Sequence, residues 1–229
     1  MKYLDPIDPT DFKRPAVMIA RLIPEGGLVL DVGCAGGRVA RLLKEKGCRV
    51  VGVENDSELA SLAKAVCDEV IVGDVEDPAV MAQVPGGFQA IVCADVLEHL
   101  RDPARVLVSL KGKLAPGGRT YVAIPNLLMW RARWQLLRGR FHYEETGIFD
   151  ESHLRFYSYD SAKALCRASG HRIRQEHFAW DVPFANRMAA RLRHRSDRTA
   201  RAVVRVAEWL AIRRPGLVAG HFVFVLEPE

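Results

Sequence analysis

The sequence predicts an α/β protein in which a parallel β-sheet carries helices on both faces. Short apolar segments alternate with longer amphipathic segments between residues 25 and 126. This alternation is typical of βαβ units, whose crossover helices cover both faces of a sheet. Turn residues separate the segments, as expected where the chain leaves a buried strand. The chain has 229 residues, which is enough for one domain with insertions.

The elements follow one another in a regular order. Residues 12–23 are predicted to form a helix with Asp11 as its N-cap. Five strands are predicted at "GLVLDVG", "RVVGVE", "EVIVGD", "FQAIVCAD" and "RTYVAIPN", with helices between them at "RVARLLKEKG", "DSELASLAKAV", "DPAVMAQV" and "DPARVLVSLKGKL". Asp56 or Ser57 is the expected N-cap of the second of these helices. Pro103 lies in the first turn of the last one, and Pro116-Gly117-Gly118 follows its end.

The regular alternation ends at residue 127. Residues 127–157 hold seven of the 18 aromatic residues of the chain, and we interpret them as a lid-like insertion. A helix at "SYDSAKALCRASG", a strand at "HRIRQEHFAW" and a last strand at "HFVFVLEP" are predicted after it. Residues 185–214 are predicted to form a basic amphipathic helical insertion before that last strand. The chain, 1–229, is thus expected to be a single domain with two insertions.

The composition is that of a globular protein, with 49% hydrophobic and 27% charged residues. The first residues, "MKYLDPIDPTDFKRP", are polar and proline-rich, so we predict no signal peptide. No apolar run is long enough for a transmembrane helix. The five cysteines are scattered without CxxC spacing, which argues against a zinc site or a disulfide framework. A cytoplasmic protein is the simplest interpretation.

The positive charge of the chain is concentrated in one segment. The net charge is +5, but residues 185–214 hold nine arginines and two acidic residues, a net +7, which leaves −2 elsewhere. The simplest interpretation is a helix packed on the domain, or in a dimer interface, with its arginines in solvent. Peripheral contact with an anionic membrane, suited to a lipid-linked substrate, is a second possibility. A nucleic acid is the least favoured partner, and the oligomeric state is left open.

The turn after the first strand points to ligand binding. In "LVLDVGCAGG", Asp31 lies two residues before Gly33, and Gly36 and Gly37 follow. A glycine-rich turn lets a ligand approach the backbone, and the next helix adds partial positive charge at its start. The spacing matches neither the GxxxxGK[ST] motif of a P-loop nor the GxGxxG motif of a dinucleotide site. The pattern present is hhDhGxxxG, where h is an apolar residue.

Together with "VVGVEND", "VIVGDVED", "CADVLEHLRDP" and "LAPGGRTYVAIPN", this turn resembles the class I S-adenosylmethionine-dependent methyltransferases. The similarity is to the branch that includes the ubiquinone-biosynthesis O-methyltransferases and many bacterial small-molecule methyltransferases. It covers residues 25–126 with specific motifs and residues 150–179 more loosely. The resemblance implies a Rossmann-like sheet of seven strands with an antiparallel last strand, and S-adenosylmethionine as cofactor.

The resemblance also implies roles for particular residues. Asp31 and the turn, with Gly33, Cys34, Ala35 and Gly37, would surround the methionine part of the cofactor. Glu54, followed by Asn55, would accept hydrogen bonds from both ribose hydroxyls, and Asp74 with Val75 would meet the adenine. Asp95 with Val96 would lie beside the sulfonium. One departure is Ala35, where the family has a glycine, so the turn is expected to differ slightly in shape.

Two further motifs supply candidate catalytic residues. In "ADVLEHL", the D-x-x-E-H spacing is similar to the E-x-x-E-H of quinone O-methyltransferases, so Asp95, Glu98 and His99 are a weak candidate for a divalent metal site. In "DESHLRFYS", His153 is the predicted general base, with His99 as the second catalytic candidate. Both histidines could instead have a purely structural role.

The lid-like insertion supplies the candidate acceptor-binding residues, which are Trp130, Trp134, His142, Tyr143 and Arg155. Its aromatic rings could stack on an acceptor or could form a small core of their own. We therefore expect an S-adenosylmethionine-dependent methyltransferase that acts at oxygen on a small molecule, a sugar or a lipid-linked acceptor. The alternatives are a methyltransferase of RNA or protein, and a module that binds the cofactor without catalysis.

Overall fold

A computed structural model describes residues 14–180, 209 and 213–229 of the chain. Its strands are β1 (Leu28–Val32), β2 (Arg49–Glu54), β3 (Glu69–Val72), β4 (Phe88–Ala94), β5 (Leu114–Pro125), β6 (His171–Trp180) and β7 (Ala219–Pro228). They form one sheet in the order β3-β2-β1-β4-β5-β7-β6. Strand β7 is antiparallel to both of its neighbours, and the other adjacent pairs are parallel. The predicted fold class is therefore confirmed, including the antiparallel last strand.

The helices connect the strands as the alternating pattern predicts. They are α1 (Pro15–Leu22), α2 (Arg38–Glu45), α3 (Ser57–Ala63), α4 (Pro78–Gln83), α5 (Pro103–Lys111), α6 (Trp130–Leu137), α7 (Tyr159–Ala168) and the one-turn α8 (Pro215–Val218), with a 3₁₀ turn at Leu97–His99. Asp56 is the N-cap of α3, as expected, because its carboxylate accepts hydrogen bonds from the amides of Glu58 and Leu59. A capping carboxylate satisfies amides that have no partner inside the helix.

Two element boundaries differ from the prediction. Helix α1 begins at Pro15 with Arg14 as its N-cap rather than at residue 12, and the predicted cap Asp11 lies outside the described residues. Proline is favoured at the first helical position, because its fixed φ suits the helix and no amide proton is needed there. Strand β5 begins at Leu114 and includes the Pro116-Gly117-Gly118 segment, which the prediction placed between the preceding helix and the strand "RTYVAIPN". Leu114 pairs with Phe88 on β4, and an irregularity in the register accommodates the extra residues.

The predicted basic helix at 185–214 lies outside the described residues, apart from residues 209, 213 and 214. Its interpretation as a helix, as a membrane contact or as an interface stays a prediction. No helix within the described part of the chain is both long and apolar enough to span a membrane.

Apolar side chains cover the sheet on both faces. Leu30 of β1 is buried in one layer, together with Phe88 and Phe222. The adjacent Val29 is buried in the opposite layer, together with Tyr121. Side chains of successive strand residues point to opposite faces, so a strand buried on both sides must be apolar nearly throughout. Asp31 in the same strand is the exception, and its burial needs another explanation.

The segment 127–157 leaves the sheet at the end of β5 and returns to the same place. An isolated bridge joins Asn126 to Tyr157, and the amide of Leu127 donates to the carbonyl of Tyr157 at 2.9 Å. Within the segment, Met129 and Ala132 pack with Phe149 in a small apolar cluster. This geometry is compatible with a lid-like insertion, and the lid role stays a prediction.

A buried histidine stands at the start of β6. The side chain of His171 is fully buried, and its Nδ1 lies 2.9 Å from the Ser169 hydroxyl. That hydroxyl donates to the carbonyl of Cys166 at 2.7 Å, so it accepts a hydrogen bond from the Nδ1–H group of the ring. Nε2 is buried without a hydrogen-bond partner. Burial, together with the nearby Lys111 ammonium, lowers the pKa of His171 from 6.5 to about 4.

The low pKa of His171 predicts a loss of stability in acid. Between the pKa of the unfolded chain, 6.5, and about 4 in the fold, the unfolded state binds a proton that the folded state excludes. The free energy of unfolding should therefore fall by about 2 kcal/mol more in the wild type than in His171→Gln between pH 7 and pH 5. Urea titrations at the two pH values measure this difference. His142→Gln, at an exposed position, should behave like the wild type, and equal losses in His171→Gln and wild type would contradict the prediction.

Candidate active site

The turn between β1 and α2 lies against the end of β2. The amides of Gly33 and Cys34 donate to the carbonyl of Val53 at 2.8 and 3.1 Å. Gly33 has a φ of 64°, and a Cβ at this position would lie 2.7 Å from Val96 Cγ2. Glycine is required here for both reasons, because other residues would be strained and would collide with Val96. Gly37, with a φ of 78°, is the N-cap residue of α2.

Ala35 occupies the position where the resemblance would place a glycine. Its φ is 46°, which is a left-handed conformation that costs about 1 kcal/mol or more for an L-residue. A hydrogen bond helps to hold this conformation, because the amide of Ala35 donates to Glu54 Oε2 at 2.8 Å. The methyl group is therefore tolerated at the expense of local strain.

Glu54 at the end of β2 fixes two loops at once. Its Oε2 accepts from the amide of Ala35, and its Oε1 accepts from the amide of Asp56 at 3.0 Å. The residue is buried, at 6% exposure, yet it still lines a cavity. A carboxylate oxygen has two lone pairs, so each oxygen can accept a further hydrogen bond from a ligand.

A cavity of about 760 Å³ opens at this edge of the sheet. Nine of the predicted cofactor-binding residues line it, namely Gly33, Cys34, Ala35, Glu54, Asn55, Asp74, Val75, Asp95 and Val96. They come from the ends of β1 to β4, and the carboxyl ends of parallel strands are where open α/β sheets bind ligands. The remaining two predicted residues, Asp31 and Gly37, do not line the cavity.

Asp31 lies beneath the turn rather than in the cavity wall. It is 1% exposed, and its Oδ2 is buried without a hydrogen-bond partner. Burial and the negative charge of Glu54 raise the pKa of Asp31 to about 7. Two buried carboxyl groups side by side are unfavourable when both are charged, and a cationic ligand in the cavity would relieve their repulsion. These two carboxyl groups therefore suit a ligand that donates hydrogen bonds from hydroxyl groups and carries positive charge.

A second cavity of about 440 Å³ adjoins the first. Its polar lining residues include Asp95, Glu98, His99, Arg131, Gln135, Glu144, Asp150, His153 and His221. Asp95 and His99 line both cavities. The left-handed φ of Asp95, 56°, is unusual for an aspartate and marks a strained position at this border.

Three side chains converge in the second cavity. Ligand atoms of Glu98, His99 and His153 all lie within 4.8 Å of one another. The Nδ1 atoms of His99 and His153 lie 3.0 and 3.1 Å from the carbonyls of Ser152 and Ile148, so each neutral ring keeps its lone pair on Nε2. Both oxygens of Glu98 are buried without hydrogen-bond partners. This arrangement of ligand atoms suits a divalent cation, since the carbonyl contacts orient the rings as they do around metals.

The set of metal-ligand candidates differs from the sequence expectation. The sequence suggested Asp95, Glu98 and His99, but the structure groups Glu98 and His99 with His153. The insertion brings His153 into place, because the amides of Leu154 and Arg155 both donate to the carbonyl of Glu98. Burial and the charge of Asp95 raise the pKa of Glu98 well above its ordinary value, and burial with the neighbouring His99 lowers the pKa of His153.

The five predicted acceptor-binding residues do not line either cavity. Trp134 is 51% exposed, with the Arg138 guanidinium 4.4 Å from its ring centroid. His142 and Tyr143 are exposed, and Trp130 is partly buried at the start of α6. Arg155 donates to the carbonyls of Leu100 and Arg101 and so holds the insertion to the loop after β4. Their acceptor roles stay predictions.

Sequence reasoning did not single out His221. Its Nε2 lies 3.4 Å from Asp95 Oδ1, and its ring lines the second cavity. The predicted antiparallel last strand could have indicated that His221 lies near the site. The first residues of such a strand lie at the sheet edge where the parallel strands end, and His221 pairs with Pro125 at the end of β5.

Comparisons with known proteins agree with this geometry. Residues 11–176 match a family described as a methyltransferase domain. The chain is 34% identical over 113 residues to the ubiquinone biosynthesis O-methyltransferase of Xanthomonas axonopodis pv. citri (strain 306), and 33% identical over 115 residues to that of Xylella fastidiosa (strain 9a5c). Each match covers 47% of this chain and 46% of the relative, so the chain spans about half the length of these curated relatives.

Solved structures with the same fold have low sequence identity. An S-adenosylmethionine-dependent methyltransferase from Archaeoglobus fulgidus is similar with a TM-score of 0.63 and 17% identity, over 94% of each chain. A possible histamine N-methyltransferase from Thermotoga maritima is similar with a TM-score of 0.56 and 22% identity, over 72% of each chain. On the family match, which covers most of the chain, this protein belongs to the class I S-adenosylmethionine-dependent methyltransferases, and S-adenosylmethionine is its cofactor.

Proposed function

We propose that this protein transfers the methyl group of S-adenosylmethionine to a hydroxyl oxygen of a small molecule, a sugar or a lipid-linked acceptor. One observation carries the proposal: two cavities meet at Asp95 and His99, and their linings differ in chemistry. The first has the glycine turn and the acids at the strand ends, and the second has histidines and carboxylates. The name of the Xanthomonas relative, an O-methyltransferase, supports oxygen as the acceptor atom.

The first cavity is proposed to hold the cofactor. Glu54 would accept hydrogen bonds from the ribose hydroxyls, because a carboxylate matches two adjacent hydroxyl groups. The turn from Gly33 to Gly37 would surround the methionine part, with Asp31 beneath it, and Asp74 would meet the adenine. Asp95 would lie beside the sulfonium, at the border with the second cavity. When bound, the cofactor supplies the methyl group and its own leaving group, so the protein has mainly to align and desolvate the reactants.

The second cavity is proposed to hold the acceptor. The sequence predicts His153 and His99 as catalytic residues, and a ring nitrogen of each lies in one cluster with a carboxylate oxygen of Glu98. We propose that Glu98, His99 and His153 hold a divalent cation, which would polarise the acceptor hydroxyl. The buried, unpartnered oxygens of Glu98 support this proposal, because a buried carboxylate normally has a partner.

Glu54→Gln should weaken binding of S-adenosylhomocysteine by about 10- to 100-fold, since a hydrogen bond to a charged group contributes about 1.5–3 kcal/mol. Isothermal titration calorimetry measures the dissociation constant directly. Glu58→Gln is the matched control, because Glu58 is an exposed glutamate on the adjacent helix α3. Wild-type affinity in folded Glu54→Gln would rule out the proposed ribose contact.

His153→Gln should reduce turnover by about 100-fold or more, because a group that acts on the acceptor contributes to the chemical step. Affinity for S-adenosylhomocysteine should not change, since His153 lines the second cavity and not the first. Transfer of tritium from methyl-labelled cofactor to a panel of phenols and sugars measures turnover. His177→Gln on β6, outside both cavities, is the control. Unchanged turnover would remove His153 from the mechanism.

The wild-type protein should bind about one equivalent of Zn²⁺ or Mg²⁺ at this cluster, as three protein ligands suffice for a catalytic cation. Glu98→Gln and His99→Ala should each weaken that binding, because each removes a ligand atom. Metal analysis by mass spectrometry and titration of chelator-treated protein measure both effects. Retained turnover after chelation would contradict the cation and leave His153 as the direct proton acceptor that the sequence predicts.

A further inference from the structure

A second pair of polar side chains stands at the border between the two cavities. His221 Nε2 lies 3.4 Å from Asp95 Oδ1, and the two side chains are 31% and 47% exposed. Asp95 lines both cavities, whereas His221 lines only the second. A methyl group that leaves the first cavity for an acceptor in the second must pass beside this pair.

The sheet topology fixes this position. Strand β7 runs antiparallel to β5, so its first residues lie beside the last residues of β5. On the other side, the amide of Asp95 donates to the carbonyl of Ala123 at 3.2 Å, which anchors the turn after β4 to the same strand. Both partners are therefore held against β5, His221 through strand pairing and Asp95 through its backbone amide.

The partner of Nε2 decides which nitrogen of His221 can accept a proton. A carboxylate beside Nε2 favours the tautomer that carries the proton there and leaves the lone pair on Nδ1. No residue in the described part of the chain forms a hydrogen bond with His221 Nδ1. An imidazole oriented by a carboxylate is the arrangement that general bases use in hydrolases and transferases.

The two histidines of the cluster are less suited to this task. Their Nδ1 atoms lie near backbone carbonyls, and both rings belong to the cluster with Glu98. The side chain of His153 is 6% exposed, and its Nε2 lies 4.0 Å from Glu98 Oε1. His221 is about five times as exposed, so an acceptor in the second cavity can reach it more easily.

We propose that His221, oriented by Asp95, is the general base that takes the proton of the acceptor hydroxyl. The proposal rests on the function proposed above and adds a catalytic residue to it. A lone pair of the acceptor oxygen forms the new bond to the methyl carbon, while the carbon–sulfur bond breaks and its electron pair stays on sulfur. The hydroxyl proton passes to Nδ1 of His221, so charge and atoms balance.

A coloured phenol tests the proton transfer without knowledge of the natural acceptor. We would bind 4-nitrophenol to the complex with S-adenosylhomocysteine, at a pH just below the pKa of the free phenol, and record its absorbance. The phenolate is yellow and the phenol is not, so the spectrum reports the ionised fraction in the site. Wild-type protein should raise that fraction by up to about twofold over the free phenol, and His221→Gln should return it to the value of the free phenol or below, because the proton acceptor is gone.

Two comparisons make this result specific to His221. His177→Gln should behave as the wild type, since its ring lies on β6 and contacts Gln175. Wild-type protein treated with a chelator serves as the second comparison. It shows whether the bound phenol is ionised by a cation at the cluster of Glu98, His99 and His153 or by His221. Where a phenol or sugar of the panel is methylated, His221→Ala should lose turnover at unchanged cofactor affinity, and added imidazole should restore part of it. A residue with only a structural role would not be rescued in this way.

The outcomes separate the inference from the function on which it rests. A bound probe that stays ionised in folded His221→Gln overturns the role of His221 and leaves the methyltransferase proposal intact. Failure of the wild type to bind the probe overturns the second cavity as acceptor site, and the base with it. Failure to bind S-adenosylhomocysteine would count against the proposed cofactor site itself.

Discussion

The carboxylate of Glu54 is the contact on which the geometry of the cofactor cavity depends. It joins the turn after β1 to the turn after β2, through the amides of Ala35 and Asp56. The strained conformation of Ala35 is held partly by this bond, so the shape of one loop depends on a side chain in another. Burial and, to a lesser degree, the charge of this carboxylate raise the pKa of Asp31 to about 7, so a second acidic group lies beneath the same turn.

The two neighbouring acidic groups, Asp31 and Glu54, bear on the chemistry of the ligand. A carboxyl group buried beside another carboxylate destabilises the folded protein unless it is protonated or paired with a cation. S-adenosylmethionine carries a sulfonium and an ammonium, so its binding would supply the missing positive charge. S-adenosylhomocysteine lacks the sulfonium, and it therefore relieves less of the repulsion after methyl transfer.

Most of the cofactor-binding residues that local sequence patterns predicted line the first cavity. Strand ends that carry Glu54, Asp74 and Asp95 are recognisable because a buried apolar run stops at a polar residue. The acceptor side depends on contacts between distant segments, and these leave no local pattern. His153 joins Glu98 only because the insertion bonds to the carbonyl of Glu98. The aromatic composition of the insertion did not predict which rings would point into a cavity and which into solvent, and Trp134 faces solvent.

The histidines of this protein show how the partner of one ring nitrogen determines the chemistry of the other. In His171, Nδ1 is hydrogen-bonded to Ser169, and Nε2 is buried without a hydrogen-bond partner, so the ring stays neutral and structural. In His153 the same tautomer directs Nε2 to a buried carboxyl group, which suits a cation. In His221 the order is reversed, because a carboxylate faces Nε2 and Nδ1 is left to accept. Under the proposed mechanism, stability, acceptor activation and proton transfer are divided among three rings, and the direction of β7 brings the third of them to the edge of the sheet where the two cavities lie.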